Sequence, residues 1–254
     1  MIIAIDIGNT AIKIALLKGK RIVKEKSIYG LESQPSIRSG IRRTLRAHKK
    51  HSARIKEIII CSVVPKHLQL ASAEVKKVFK RNPKVVERQI KVPIKNNYKN
   101  PKHVGADRLV GAFAAKVLYG YPAIIIDFGT AVTIDVINDK GAYDGGIIVP
   151  GIRLSAESLF KKTALLPNID TFKPPRTLIG RDTKSSILSG LFYGYAALCR
   201  GLIEEIARNM KGKPKVILTG GHTGRMKKFL GKKVYKIDKE LVIKGIYLTY
   251  KSYR

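Results

Sequence analysis

Two stretches, half a chain apart, repeat one pattern. Residues 2–17 read IIAIDIGNTAIKIALL and residues 123–137 read AIIIDFGTAVTIDVI. Each begins with four apolar residues rich in isoleucine, which suit a strand buried on both faces. Each then places an aspartate, Asp6 or Asp127, at the end of the run, followed by a glycine and a threonine, with Asn9 inserted in the first copy. A β-branched segment comes next, 11–17 and 131–137. Strand, glycine turn and strand make a β-hairpin. The same acid-tipped hairpin found twice predicts a duplicated α/β fold of two similar lobes.

The intervening sequence fits α/β lobes. Residues 57–64 (EIIICSVV) predict a strand closed by Pro65, and the spacing of Leu70, Ala73, Val75, Val78 and Phe79 predicts a helix over 68–81. Further helices are expected over 107–118, 155–161 and 183–209, with a strand at 215–218 running into Gly220–Gly221. Gly120 and Pro122 mark a turn, so the lobes are expected to be 1–117 and 118–254.

The hairpin tips carry the chemistry. A glycine turn lets backbone N–H groups approach phosphate oxygens, because no Cβ stands in the way. Asn9 and Thr10 add short donors, and Asp6 can hold Mg²⁺ directly or through water. The loop from Asp127 to Thr130 can do the same from the other lobe, so that two facing loops would clamp the polyphosphate of ATP. Lys13 lies one strand beyond the first loop and could reach a phosphate. Taken singly, either loop is also an ordinary hairpin turn; the matched pair is what points to phosphate. No GxxxxGK[ST] occurs. Thr219–Gly220–Gly221 offers a flat backbone where an adenine could lie.

Charge is the odd feature. Fifty Lys and Arg against 18 Asp and Glu give a net charge of +32, which attracts polyanions. The basic residues run from Lys13 to Arg254 without an RNP, zinc-knuckle or helix-turn-helix pattern, and there is no tryptophan. A solvated basic surface is the expectation, with no nucleic-acid partner. Apolar runs are short and Asp6 interrupts the N-terminal one early, so neither a membrane span nor a signal peptide is expected. Cys61 and Cys199 form no CxxC pair, and the expected location is cytoplasmic. His48 and His51 are expected to face solvent, and His222 to sit on a surface loop. Tyr193 and Tyr195 are expected to pack, and Asp135 is either a partner of the second loop or a strand-face aspartate.

Longer motifs carry a resemblance. DIGNT (6–10), CSVVP (61–65), YKNPKHVGADR (98–108), DFGTAVTID (127–135), GGIIVPGIRLSAESLFKKTALLP (145–167), IGRDT with SGLFYGY (179–195) and TGG (219–221) together resemble the type III pantothenate kinases. That resemblance implies a duplicated ribonuclease-H-like (actin-like ATPase) fold, two lobes with mixed sheets flanked by helices and a cleft between. It implies ATP-dependent phosphorylation of pantothenate to 4′-phosphopantothenate, the first step of coenzyme A biosynthesis. Asp6, Ile7, Gly8, Asn9, Thr10, Ala11, Ile12 and Lys13, with Thr130, are implied as ATP contacts. Tyr98, Gly105, Ala106, Asp107, Arg108 and Thr183 are implied as pantothenate contacts, with Asp107 the catalytic base. Asp127 is implied as ligand of a monovalent cation, K⁺ or NH₄⁺, beside Mg²⁺ brought with ATP. A homodimer is implied. Arg108 either holds the substrate carboxylate or pairs with Asp107. Two other readings share the fold: a non-catalytic regulator linked to nucleic acid, and a kinase of another small alcohol.

Overall fold

Each repeated hairpin opens a three-strand meander in the computed structural model, which describes residues 1–31 and 33–253. The first run is β1 (Ile2–Ile7), β2 (Ala11–Lys18), β3 (Arg21–Tyr29), α1 (Gln34–His48), β4 (Glu57–Ser62), α2 (Pro65–Phe79), β5 (Lys84–Val85) and α3 (Ala106–Tyr119). The second is β6 (Ala123–Phe128), β7 (Ala131–Ile137), β8 (Tyr143–Pro150), α4 (Ile152–Lys162), α5 (Thr183–Ser189), α6 (Tyr195–Arg208), β9 (Lys215–Thr219), α7 (Thr223–Leu230), β10 (Lys236–Ile237) and α8 (Leu241–Tyr253). The sheets run β3-β2-β1-β4-β5 and β10-β9-β6-β7-β8. Read from β8, the second order repeats the first. In both, the meander is antiparallel and the two later strands are parallel to the first. The duplication read from the hairpins is therefore a duplication of topology.

Contacts group the chain into two units, Met1–Lys95 with Lys99–Ala114 and Leu241–Arg254, and Asn96–Tyr98 with Ala115–Glu240. In the first, Ile3, Ile5, Ile7, Ile12, Ile14 and Leu16 pack against Ile37, Ile41 and Leu45 of α1 and Val75 and Val78 of α2. The opposite face of the sheet carries Ile2, Ala4, Ala15, Leu17 and Ile59, all buried. Helix α8 packs on β1 and β4. A strand covered on both faces has no polar side to alternate with, which is why these strands read as unbroken apolar runs. The division at 117/118 placed Leu241–Arg254 with the second half of the chain. Contacts place these residues in the first unit, because α8 packs on the face of β1 and β4 that α1 and α2 leave open. Its Gly245 lies so close to α3 that a Cβ there would stand 2.5 Å from the Val110 carbonyl oxygen.

In the second unit, Ile124, Ile126, Phe128, Val132 and Ile134 pack against Ala156, Leu191, Phe192, Ala196, Cys199, Ile203 and Met226. A π-helical turn, Gly190–Gly194, joins α5 to α6. The resulting 26-residue helix, Thr183–Arg208, is by length and composition apolar enough to cross a bilayer. Its apolar side, from Leu191 to Ile203, is instead part of this core.

His48 is a correction. It is buried, not solvent-facing. Ile37, Ile41, Leu45 and His48 follow helical spacing along α1, so the histidine ends the buried stripe. Burial, then Lys24 and His51, holds its pKa below the ordinary value. The unfolded chain therefore takes up this proton at a higher pH than the native protein, and stability falls as pH drops below about 6.5. Urea denaturation of His48→Gln should show a flatter loss of stability between about pH 7 and pH 5 than the parent chain. Equal slopes would remove His48 as the cause.

Candidate active site

In the first unit, the Gly8 amide donates to the Ala11 carbonyl at 3.0 Å and closes the turn, leaving Asn9 and Thr10 exposed. Asp6 pairs in register with Lys13 on β2 and with Cys61 on β4. Residues opposite one another in a ladder share a face, so all three project on the side away from α1 and α2. Helix α3 begins just after Gly105. Its first turn is pinned by Asp107, whose Oδ1 accepts from the Arg108 amide at 2.8 Å. A Cβ on Gly105 would stand 2.6 Å from that same oxygen, so only glycine leaves the carboxylate where it is.

Cys61, the ladder partner of Asp6, is buried. Its thiol is pushed well above the ordinary range by burial, then by the charges of Asp6, Asp107 and Glu87. Coulombic effects of this kind fall off with distance. Just past β4 the Val63 amide donates to the Ile7 carbonyl at 3.2 Å, and a Cβ on Gly105 would stand 3.5 Å from the Val63 side chain, so the turn that leads into Asp107 adjoins the carboxyl ends of β1 and β4, where Asp6 lies. The carboxyl end of parallel strands is where open α/β sheets hold their ligands.

The second unit repeats the turn, with the Gly129 amide donating to the Ala131 carbonyl at 3.1 Å. Asp127 pairs with Thr133 on β7 and Thr219 on β9, as Asp6 does with Lys13 and Cys61. The Thr130 carbonyl accepts from the Gly151 amide at 2.9 Å, and a Cβ on Gly151 would stand 2.1 Å from that oxygen. Gly220 has φ +93°, and a Cβ there would stand 2.3 Å from Asp127 Oδ1. Thr223 Oγ1 lies 2.6 Å from the Thr219 and Gly220 carbonyls and anchors this glycine turn to α7. His222, expected on a surface loop, is half-buried at the start of α7. Burial, then Arg225 and Arg153, lowers its pKa.

Thr183 is the first residue of α5 and is exposed. The preceding Asp182 caps the helix by accepting from the Ser185 amide at 2.8 Å, and hydrogen bonds from Ser185 hold its carboxyl below the usual range. Tyr98 groups with the second unit through a bridge from Asn96 to Tyr143. The structure thus brings together Asp6 through Lys13 and Gly105 through Arg108 in one unit. Asp127, Thr130, Tyr98 and Thr183 fall in the other. The reading from sequence gave no role to Gly151 beside Thr130. The available signals were a glycine after Pro150 at the end of an apolar run and its place in the 145–167 motif.

Two five-stranded sheets of one order, each with an acid-tipped first strand and a glycine turn, define an actin-like ATPase or sugar-kinase fold. Solved structures agree. A putative 2-dehydro-3-deoxygalactonokinase protein from Sinorhizobium meliloti aligns with TM-score 0.59 at 13% identity, covering 99% of both chains. The activator of the 2-hydroxyisocaproyl-CoA dehydratase from Clostridium difficile aligns with TM-score 0.58 at 13% identity, over 99% of this chain and 95% of that one. At such identities the likeness speaks for the fold alone.

Sequence comparison gives the family. The type III pantothenate kinase profile matches residues 2–205. The type III pantothenate kinase of Persephonella marina is 41% identical over 98% of each chain. That of a Sulfurihydrogenibium species is 39% identical over 97% of this chain and 98% of its own. The chain belongs to the type III pantothenate kinase family.

Proposed function

We propose that this chain transfers the terminal phosphoryl group of ATP to pantothenate, giving 4′-phosphopantothenate, the opening step of coenzyme A synthesis. The observation that carries the reading is the match to the family over nearly the whole chain, in a structure where Gly105, just before Asp107, lies against Val63 at the strand ends that carry Asp6. Asp6 through Lys13 and Thr130 contact ATP. Tyr98, Gly105, Ala106, Arg108 and Thr183 contact pantothenate. Asp107 accepts the proton of the primary alcohol as its oxygen bonds to phosphorus and the bond to the ADP oxygen breaks. The alcohol is a poor nucleophile until a carboxylate takes or positions that proton. Phosphoryl transfer otherwise depends on alignment and on neutralising phosphate charge.

Mg²⁺ is proposed at Asp6. Among the described residues no group of three or more His, Cys, Asp or Glu could hold a metal alone. This suits an ion taking one carboxylate from the protein and other oxygens from phosphate and water. K⁺ or NH₄⁺ is proposed at Asp127, whose Oδ1 lies so close to Gly220 that a Cβ there would stand 2.3 Å away. When bound, such cations offset the phosphate charge. A homodimer is supported by apolar residues left exposed on and just after α4: Leu154, Leu159, Phe160 and the 92%-exposed Leu165. Exposed large apolar side chains become buried where a partner covers them. Cytoplasmic location is supported by two buried, unbridged cysteines, as expected where thiols stay reduced. The halves 1–117 and 118–254 remain our proposal for the limits of the duplication.

A coupled assay tests this. ADP release at saturating ATP should require pantothenate together with K⁺ or NH₄⁺, and sedimentation should give a dimer mass. Absence of pantothenate-stimulated release would remove the proposed reaction, and a monomer mass would remove the dimer.

A further inference from the structure

The segment carrying Tyr98 is attached to the start of β8 through Tyr143. The Asn97 amide donates to the Tyr143 carbonyl at 2.9 Å, and the Asn97 side chain donates to Asp144 at 2.7 Å. The Tyr98 ring lies 6.5 Å from the Tyr143 ring, tilted 38° to it, within the range of favourable aromatic pairs. It also lies on the backbone of Gly145, at φ +117°, where a Cβ would stand 3.3 Å from its Cδ2. Tyr143 is itself fully buried, and its hydroxyl donates to Asp135 Oδ1 at 2.8 Å. The second oxygen of this buried carboxylate accepts from Thr133 Oγ1 at 3.1 Å. Thr133 is the ladder partner of Asp127.

We propose that Asp135 and Tyr143 are positioning residues for the acceptor site. Tyr143, its ring fixed by the hydroxyl on Asp135, is the floor that sets the angle of Tyr98. This rests on the assignment of Tyr98 to pantothenate made above. A charge-assisted hydrogen bond to a buried carboxylate fixes the Tyr143 ring in its rotamer, and Gly145 leaves the flat gap in which the second ring settles. Misplacing a substrate contact by about an ångström costs up to about 100-fold. Because the pair touches the acceptor's contact and not the nucleotide's, its effect belongs to pantothenate KM.

Tyr143→Phe keeps the ring and removes its anchor. In the full chain it should raise pantothenate KM about tenfold, within the range that displaced contacts produce, with ATP KM changed by less than about twofold. A role confined to core packing would move both constants or neither. In a Tyr98→Ala background, Tyr143→Phe should add nothing further to pantothenate KM, since the two residues act as one unit. A folded Tyr143→Phe with unchanged pantothenate KM overturns the proposal, as does an undiminished effect in the Tyr98→Ala background. If Tyr143→Phe does not fold, Gly145→Ala pushes on the Tyr98 ring while keeping the hydroxyl in place; an unchanged pantothenate KM there overturns it equally. A parent chain with no pantothenate-dependent ADP release takes down the kinase reading as well. An active parent with insensitive variants takes down only this inference.

Discussion

Replacing Asp107 with asparagine is expected to lower kcat by about 10²–10⁴-fold while leaving ATP binding within a few-fold of the parent. The structure makes this a clean substitution. Asn keeps the shape and an oxygen that can accept from the Arg108 amide, the 2.8 Å bond that pins the first turn of α3. What it loses is the ability to take up a proton, the role proposed for Asp107 toward the alcohol. At about 1.4 kcal/mol per decade, the expected loss corresponds to about 3–5 kcal/mol of transition-state stabilisation. The proposed ATP contacts, Asp6 through Lys13 and Thr130, are untouched, so calorimetric titration with a non-hydrolysable ATP analogue should still show binding. Normal turnover by Asp107→Asn would assign the base elsewhere. Loss of nucleotide binding together with turnover would make Asp107 a structural residue.

Gly220→Ala is expected to be strongly destabilising, whereas Gly221→Ala is expected to leave stability unchanged. Gly220 sits at φ +93°, and its Cβ would meet Asp127 Oδ1 at 2.3 Å and the Phe128 backbone nitrogen and carbon at 2.7 Å. Two of those atoms are backbone and cannot swing aside. Left-handed backbone at a residue with a Cβ costs about 1–2 kcal/mol. Overpacking adds about 1–3 kcal/mol. Together they predict a Tm lower by about 5–15 °C in a chain of this size. Any relief must come by displacing the Asp127 carboxylate, so stimulation by K⁺ or NH₄⁺ should fall with it. At Gly221 an added Cβ meets nothing within 4 Å. Thermal melts of the two variants are the check: equal Tm values would mean that the turn relaxes, and unaltered cation stimulation in Gly220→Ala would move the cation away from Asp127.

Those adjacent glycines show where reading the sequence stopped. Thr219–Gly220–Gly221 was visible as a turn after a strand, but two identical letters carry no record of which one abuts a carboxylate. The hairpins were legible because their cause is local. Four apolar residues, an acid and a glycine set strand and turn from near neighbours, and the register Asp6–Lys13 and Asp127–Thr133 follows from turn length. The burial of His48 follows from helical periodicity, since Ile37, Ile41 and Leu45 define the inward face of α1 on which it also lies. The third strands β3 and β8 were passed over for a different reason. Residues 21–29, RIVKEKSIY, form an edge strand dense in charge, and in 143–150 two glycines and a proline confine the apolar run to three residues, 147–149.

The sequence by itself determined that the chain is a duplicated α/β protein, that Asp6 and Asp127 end equivalent strands, and that its longer motifs are those of one kinase family. Each of these depends on residues close together in the chain, or on a pattern repeated whole. Only the tertiary structure decided that the turn leading into Asp107 lies against Val63 at the strand ends carrying Asp6, that α8 returns to the first unit, and that Tyr98 rests on Tyr143 and Gly145. These contacts join residues tens to hundreds of positions apart. They are selected by which apolar face needs covering and which buried polar group needs a partner, and those demands exist only once the sheets have formed.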